Sequence, residues 1–447
     1  MLRQPRGGME FKFGKVVEVP APPPTLPAQV LRVAIDSEPT VQLNQTVAAA
    51  QPLCESVDNQ HTHPISPIPG KVTQIDKKAK GFDIHIDTDE PRVPTTMTVP
   101  VPKTRKLPIW VETIEQLGPI GETDGRVGLL HQLRAALITR PDTVICVGAD
   151  EFPPYPVQAS LLCSFAQEAV QGTQLLAEIT AADDAQMLVP QHRKVRSNIR
   201  KHARKSRVRL QPTDTHYASA DPSLVIWNHA RGKRRVSRRG SPMQARVLIV
   251  SPWTAIRLGR WLMRGEVDLA RPVFVGTPEH DTPLEFGYAF TGQPIASLSS
   301  RIAAAIWREP HRVLVGNPLT GHRAVRHLPI ELIQSQTSPT ESSEPEPVIP
   351  VSGELMTLLE PIKTVHPSPC ISCSWCAEVC PTSLRPAKLF DRCSHDVRKN
   401  EAHLLEQLEW CVQCGLCSHV CPSQLPLTQT FARKFTQLEE SIHGRKG

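Results

Sequence analysis

The sequence predicts a multi-module chain of mixed α/β and all-β architecture that closes in a helical, cysteine-rich module. Three observations carry that expectation. Residues 10–105 hold short segments that alternate apolar and polar residues. Residues 106–330 alternate apolar runs with segments of helical periodicity. The tail holds two copies of one cysteine pattern, "CISCSWCAEVCP" from Cys370 and "CVQCGLCSHVCP" from Cys411. A chain of 447 residues is long enough for several domains, each with its own core.

In the first region, "QVLRVAI", "GKVTQI" and "FDIHI" repeat at period two, the spacing of half-buried strands. In the second, "TVICVGAD" (143–150), "ARVLIVSP" (245–252) and "HRVLVGNP" (311–318) are apolar runs stopped by Gly, Ser or Pro, as buried strands of an α/β sheet end. Between the first two, "PVQASLLCSFAQEAVQGTQLLAEI" has the 3.6-residue periodicity of a helix. The stretch 335–350, "SQTSPTESSEPEPVIP", has almost nothing to pack and reads as a flexible linker. The stretch "AKLFDRCSHDVRKNEAHLLEQLEW" between the cysteine repeats lacks Gly and Pro and reads as helix.

Composition narrows the function classes. The longest apolar runs are far too short to cross a bilayer, so no membrane span is expected. The start, "MLRQPRGGMEFKFGK", lacks the apolar core of a secretory signal, which implies a cytoplasmic chain. Twelve cysteines in a reducing compartment point to metal or catalysis rather than disulfides. The 44 prolines, roughly double ordinary usage, suit a loop-rich chain of several modules.

Each cysteine repeat reads Cys-x2-Cys-x2-Cys-x3-Cys-Pro. Three thiolates on one tight turn cap three irons of a cubane, and the fourth, turned away by the proline, ligates the neighbouring cluster. The expected sets are Cys370, Cys373 and Cys376 with Cys421, and Cys411, Cys414 and Cys417 with Cys380. The tail is therefore expected to be an α-helical ferredoxin with two 4Fe–4S clusters. Two zinc sites are the competing reading, since Cys-x2-Cys also binds zinc, but zinc does not explain two matching quartets with proline. Cys54, Cys146, Cys163 and Cys393 have no ligand-like spacing and read as buried, inert thiols. Trp375 and Trp410 flank the clusters and read as packing that excludes water.

From about residue 10 to 435 the order of modules resembles the RnfC family. Its members belong to the Rnf complex, a membrane-associated NAD:ferredoxin oxidoreductase that couples electron transfer to ion pumping. "VQLNQTVAAAQPLCESVDNQHTHPISPIPGKVTQI" is similar to that family's N-terminal barrel-sandwich module, with Gly70 in its turn. "ICVGADEFPPYP" looks like its Asn-Ala-Ala-Glu-Cys-Glu-Pro-Tyr segment at Glu151, Pro154 and Tyr155. "IVSPWTAIRLGRWLMRG" matches a helix start at Thr254 and Ala255. "RPVFVGTP" through "GQPIASL", with "GNPLTG" (316–321), resembles its small β-grasp module. The resemblance implies a lipoyl-like barrel-sandwich module over 10–105, a Rossmann-like α/β domain over 106–265 and a β-grasp module over 266–334. It further implies the linker 335–350 and a double 4Fe–4S ferredoxin domain over 351–435.

The resemblance also implies FMN and NADH, with Gly125, Gly128, Glu151 and Tyr155 as the matched cofactor-binding positions. The departures count against both cofactors. Where the family has Gly-Gly-x-Gly-Phe-Pro-Thr, this chain has "GETDGRVGLLHQL" (121–133), and Glu122 and Asp124 bring charge that a phosphate would repel. The Tyr-Pro-x-Gly-x-Glu motif has become "YASADP" (217–222), with Tyr217 retained. Two forms follow: an NADH and flavin subunit, or an iron–sulfur relay that has lost both. A non-catalytic assembly protein is the alternative class. No acid–base catalytic constellation is present in the sequence.

The basic residues are unevenly spread. "HRKVRSNIRKHARKSRVR" (192–209) carries nine Lys or Arg without an acid, and "RGKRRVSRR" (231–239) six more of the chain's 51. A solvated face is the plain reading. Nucleic acid is disfavoured, because neither run has an aromatic residue to stack on bases. The partners the resemblance implies are membrane subunits of an electron-transport complex, holding the chain peripherally on the inner face of the membrane. A soluble carrier, ferredoxin or flavodoxin, is the expected partner for a basic docking face.

Overall fold

A computed structural model describes residues 8–27, 30–35, 37–55, 64–78, 81–117, 128–213, 216–230, 234–238, 240–276, 284–300, 302, 312–319, 322–323, 355–359, 366–394 and 401–444. The expected linker 335–350 and Gly125 lie outside them.

The chain begins with β1 (Met9–Glu10) and a small all-β unit. Two short strands, β2 (Thr25–Pro27) and β7 (Arg92–Pro94), pair antiparallel at its edge. Between them lie β3 (Leu31–Ile35), β4 (Thr46–Val47), β5 (Gly70–Lys77) and β6 (Phe82–Asp87), in sheet order β3-β6-β5-β4. The three alternating segments of the sequence occupy β3, β5 and β6. Their inward positions, Leu31, Val33, Val72, Ile84 and Ile86, are almost fully buried and form one face of the core. The unit ends in β8 (Thr96–Thr98).

Helix α1 (Leu107–Leu117) and α2 (Leu129–Ile138) lead into β9 (Thr143–Val147), whose five residues are all buried. Then come α3 (Val157–Ser164), α4 (Ala166–Ile179), β10 (Asp184–Val189), α5 (Arg193–Ala203), β11 (Val208–Pro212), β12 (His216–Tyr217), α6 (Pro222–His229), β13 (Val247–Val250) and α7 (Pro252–Arg264). The parallel sheet runs β11-β10-β9-β13, the half-sheet order of a Rossmann-like unit. Strands β9 and β13 are almost wholly buried, which is why they read as apolar runs rather than alternations, whereas the edge strand β11 is partly exposed.

The single helix expected over 156–179 is two helices. The chain breaks at Phe165 (φ −123°, ψ 43°), and α4 then crosses α7 at close range. Gly172 and Gly259 permit the crossing: a Cβ on the first would run into the Ala255 carbonyl, and one on the second into that of Glu168. Trp110 and Trp261 meet edge-to-face at 5.1 Å on the far side of α7, and both are fully buried. Their indole N–H groups donate to the Thr104 and Val99 carbonyls, at 2.7 and 3.1 Å.

A second sheet follows, built from β15 (Ala270–Gly276), β16 (Glu285–Phe290), β17 (Arg312–Val315), β18 (His322–Arg323) and β19 (Leu355–Leu359). Its order is β16-β15-β19-β17-β18, with β19 parallel to β15 in the middle. Strand β14 (Glu266–Asp268) pairs with β8 and ties the first unit to α7. Sheet pairing and domain reading thus divide the chain differently: β19 belongs to the second sheet, although the sequence assigns 351–435 to the cysteine module. The reason is spatial, since the last strand fills the gap between β15 and β17.

The tail consists of α8 (Trp375–Glu378), α9 (Pro386–Ser394), α10 (Glu401–Glu409), α11 (Leu416–His419) and α12 (Leu427–Gly444). The stretch expected to be helix between the cysteine repeats is helical at both ends, and 395–400 lie outside the described residues. Leu389, Leu404, Leu408, Phe431 and Leu438 form its core. Among the described residues no helix is long and apolar enough to cross a membrane.

Gly259→Val should destabilise the chain by roughly 1–3 kcal/mol through overpacking at the α4–α7 crossing. A lower midpoint in urea unfolding, followed by tryptophan fluorescence, is the expected result.

Candidate iron–sulfur site

The two cysteine loops share one backbone. Ser372, Ser374 and Ser383 have φ of 57°, 67° and 58°, and the matching positions Gln413, Gly415 and Gln424 have 52°, 82° and 54°. Left-handed residues cost energy in any chain that is not glycine, so five such positions held by Ser or Gln indicate a geometry imposed from outside the local sequence. Alternating right- and left-handed residues point successive N–H groups into one concavity, a shape that suits sulfur-rich anions. The amides of Gln413, Leu416, Ser418 and Ala387 aim at Cys411, Cys414, Cys417 and Cys376 respectively. Leu384 N–H donates to Cys380 Sγ at 3.3 Å, and Thr428 Oγ1 lies 3.4 Å from Cys417 Sγ.

The structure brings the eight thiols together in two groups. Cys370, Cys373, Cys376 and Cys421 line a single cavity of about 400 Å³, counted out to its open mouth, with Ala387, Phe390 and Leu427. Cys411, Cys414 and Cys417 lie near Cys380, close enough for their charges to couple. Each repeat thus contributes three thiols to one group and its fourth to the other. Among the described residues no three His, Cys, Asp or Glu side chains close on one point suited to a single ion.

Electrostatics separates the two groups. Cys370 is exposed, and Ile371 and Trp375 beside it are 65% and 53% exposed. Trp375 therefore does not shield this group from water as the sequence reading expected, because nothing described packs over that side of α8. The second group has no exposed member: Cys411, Cys414, Cys417 and Cys380 are all half-buried. Burial pushes the Cys411 thiol up to about 12, against the amide of Gln413, and pushes Cys414 and Cys417 upward as well. Thiols in such a place stay protonated unless a metal takes up their charge. The donor set and its enclosure fit iron held by thiolate.

Contacts from the α/β domain, the second sheet and the N-terminal segment close around this second group. Tyr217 Oη donates to the Cys414 carbonyl at 2.7 Å. Gly415 abuts Leu319 of the "GNPLTG" loop, so that a Cβ there would lie 2.6 Å from the Leu319 carbonyl oxygen. Strand β1 pairs with β12, and the Gly8 amide donates to the Val379 carbonyl at 2.9 Å. Phe11 packs on Phe152 (5.0 Å), Tyr217 (5.8 Å) and His419 (6.4 Å). Trp410 lies under Arg235, whose guanidinium is 3.6 Å from the Trp227 ring centroid and 5.3 Å from that of Trp410.

The basic runs part company here. Helix α5 buries Val195, Ile199 and Ala203 and exposes Arg193, Lys194, Arg196, Arg200 and Lys201, a solvated basic face. The described part of the second run is engaged: Arg234 donates to the Ala245 carbonyl at 2.8 Å and pairs with Asp142 at 3.5 Å. Arg235 stacks as above, and the Arg238 amide donates to the Glu409 carbonyl at 3.1 Å. No sequence signal distinguishes this run from a free surface.

The positions matched to a flavin site lie apart from the thiols in role. Gly128 caps α2 with φ −61°, a conformation any residue adopts. Glu151 is exposed. Tyr155 is buried, its hydroxyl pushed up to about 12 by burial, with its ring packed on Phe152 and against Gly276. The segment 8–19 runs over the carboxyl ends of β9 and β10. Its Gly14 amide bonds to Pro153 at 3.0 Å, and Phe13 stacks on His192 at 5.9 Å. Asp150, at the end of β9, accepts from the Gln158 amide at 2.6 Å, and burial raises its carboxyl well above the usual range. Sequence reading passed over Asp150; its burial, which is a tertiary fact, is what singles it out.

Residues 367–431 match the family model of the 4Fe-4S dicluster domain. The tail is a 4Fe–4S-binding module. No curated protein matches the chain. Solved structures that resemble it include the NAD+-reducing [NiFe]-hydrogenase in its H2-reduced state, at 12% identity and TM-score 0.45, covering 76% of this chain and 62% of that one. The same hydrogenase in its air-oxidized state matches at 12% identity and TM-score 0.43, covering 76% and 63%. The chain spans less than two thirds of those chains.

Gly415→Ala should cost roughly 1–3 kcal/mol from a left-handed Cβ pressed on the Leu319 carbonyl, whereas Ser374→Gly should stabilise by about 1 kcal/mol. Iron retained per chain after thermal challenge should fall in the first variant and hold or rise in the second.

Proposed function

We propose that the chain is the iron–sulfur electron-transfer subunit of a membrane-associated NAD:ferredoxin oxidoreductase of the Rnf type, moving electrons through two 4Fe–4S clusters. One observation carries the reading: eight thiols gathered in two sets of four, each set borrowing one thiol from the other repeat. Zinc has no use for that exchange, whereas paired cubanes do. Cys370, Cys373, Cys376 and Cys421 would hold the outer cluster, and Cys411, Cys414, Cys417 and Cys380 the inner one. When bound, the clusters supply one-electron storage. The chain's own residues hold them side by side, exclude water from the inner site and leave the outer one open to a partner. The order β16-β15-β19-β17-β18, equivalent to 2-1-5-3-4, supports reading the second sheet as a β-grasp module.

Of the two forms of this reading, the relay without flavin and NADH is favoured. The carboxyl end of a Rossmann-like sheet is where a nucleotide binds, and here the segment 8–19 lies over two of its strands with Phe11, Phe152 and Tyr155 packed together. Tyr217, the remnant of a nucleotide motif, spends its hydroxyl on the inner thiol loop. Electrons would enter from a soluble acidic carrier at the α5 face and leave towards a membrane subunit.

Anaerobically purified protein should hold about eight iron and eight sulfide per chain, with no flavin bands. Cys421→Ser should leave about four of each, with the surviving cluster still reducible. Near-stoichiometric zinc and no paramagnetic signal on reduction would sink the reading. Neutralising Arg196, Arg200 and Arg204 together should slow reduction by ferredoxin or flavodoxin at least tenfold at low salt, an effect that fades as salt screens the face. An unchanged stopped-flow rate would remove α5 from the entry route.

A further inference from the structure

The second basic run crosses from the α/β domain to the inner thiol loop. Arg238 is the cation it leaves there: its backbone amide is bonded to the Glu409 carbonyl, two residues before Cys411, at 3.1 Å. Arg235, three residues earlier, is clamped between Trp227 and Trp410, so the run is held at both ends of one turn. Arg238 itself is half-buried, which limits screening of its charge by water.

We infer that Arg238 sets the reduction potential of the inner cluster, a role within the α/β domain for a cofactor carried by the tail. The inference rests on the two-cluster reading above. Reduction of a cubane adds one electron and no proton, so the thiolate cage gains one negative charge. A guanidinium carried on a backbone that is bonded beside the Cys411 loop stabilises the reduced form more than the oxidised form and raises the potential. The outer set opens to solvent at Cys370, where water screens any nearby charge. The two clusters would then differ in potential, with the enclosed one the better electron acceptor, despite an enclosure that alone would disfavour added charge. Burial draws the Arg238 pKa down while Cys411 draws it up, which reports the same proximity.

Arg238 is a positioning residue rather than a catalytic one, and its backbone amide is bonded to Glu409. Substituting the side chain therefore leaves the bond to Glu409 in place. The test is a reductive titration with dithionite and mediators, followed by electron paramagnetic resonance, on the full chain with both clusters loaded. In Arg238→Gln and Arg238→Met one of the two potentials should fall by about 59 mV, the equivalent of a tenfold change in a one-electron equilibrium constant. The other should stay put, and Arg238→Lys should restore most of the difference. Two loaded clusters whose potentials match the parent in both neutral variants would overturn the inference. So would equal shifts of both clusters, because a general loosening of the tail moves both. A parent chain that loads fewer than two clusters would instead refute the two-cluster reading on which the inference stands.

Discussion

Thiols gathered together and partly withdrawn from water cannot all ionise unless a metal takes their charge, and the rest of this structure is arranged around that fact. Cys411, Cys414 and Cys417 are pushed upward by burial, in the direction opposite to the one a ligand needs. The chain offsets this with more than one kind of group. It supplies backbone amides and a threonine hydroxyl, while the fourth thiol, from the sister repeat, adds to the charge that a cluster would take up. Those groups suit a charge spread over a cluster better than a point ion.

This demand explains why three otherwise separate units meet at one loop. The "GNPLTG" turn of the second sheet, Tyr217 of the α/β domain, the second basic run and the N-terminal segment each touch the inner thiol loop. Their contacts are short and directional: a phenol on a carbonyl, an amide on a carbonyl, a glycine pressed on a backbone. Such contacts exclude water and fix orientation, and both govern the potential of an iron–sulfur centre. The outer group receives none of this attention, and its apolar rim at Ile371 and Trp375 faces solvent. The two thiol groups therefore stand in different surroundings.

The carboxyl end of the Rossmann-like sheet is covered by the chain itself. It carries the N-terminal segment, and the buried carboxylate of Asp150 spends one oxygen on the amides at the start of α3. Tyr155 packs as a core side chain. A domain can keep its strand order while its site is taken over, because strand order follows from buried apolar runs and right-handed crossovers, neither of which needs the ligand.

Much of this was legible in the residues alone. Period-two segments located β3, β5 and β6, apolar runs stopped by Gly or Ser located β9 and β13, and cysteine spacing located the thiols, because each of these patterns is local and repeats at the period of the structure it makes. The break at Phe165 was not legible, since it serves a crossing with a helix almost a hundred residues later. Nor was the place of β19, which depends on a gap left by two distant strands. The shielding expected of Trp375, the engagement of Arg235 and Arg238, and the new duty of Tyr217 depend on which surfaces meet. By itself the sequence determined the identity of the ligating groups and the period of each element; only the tertiary structure decided which thiol group is sheltered, because burial and neighbouring charge belong to no single segment of the chain.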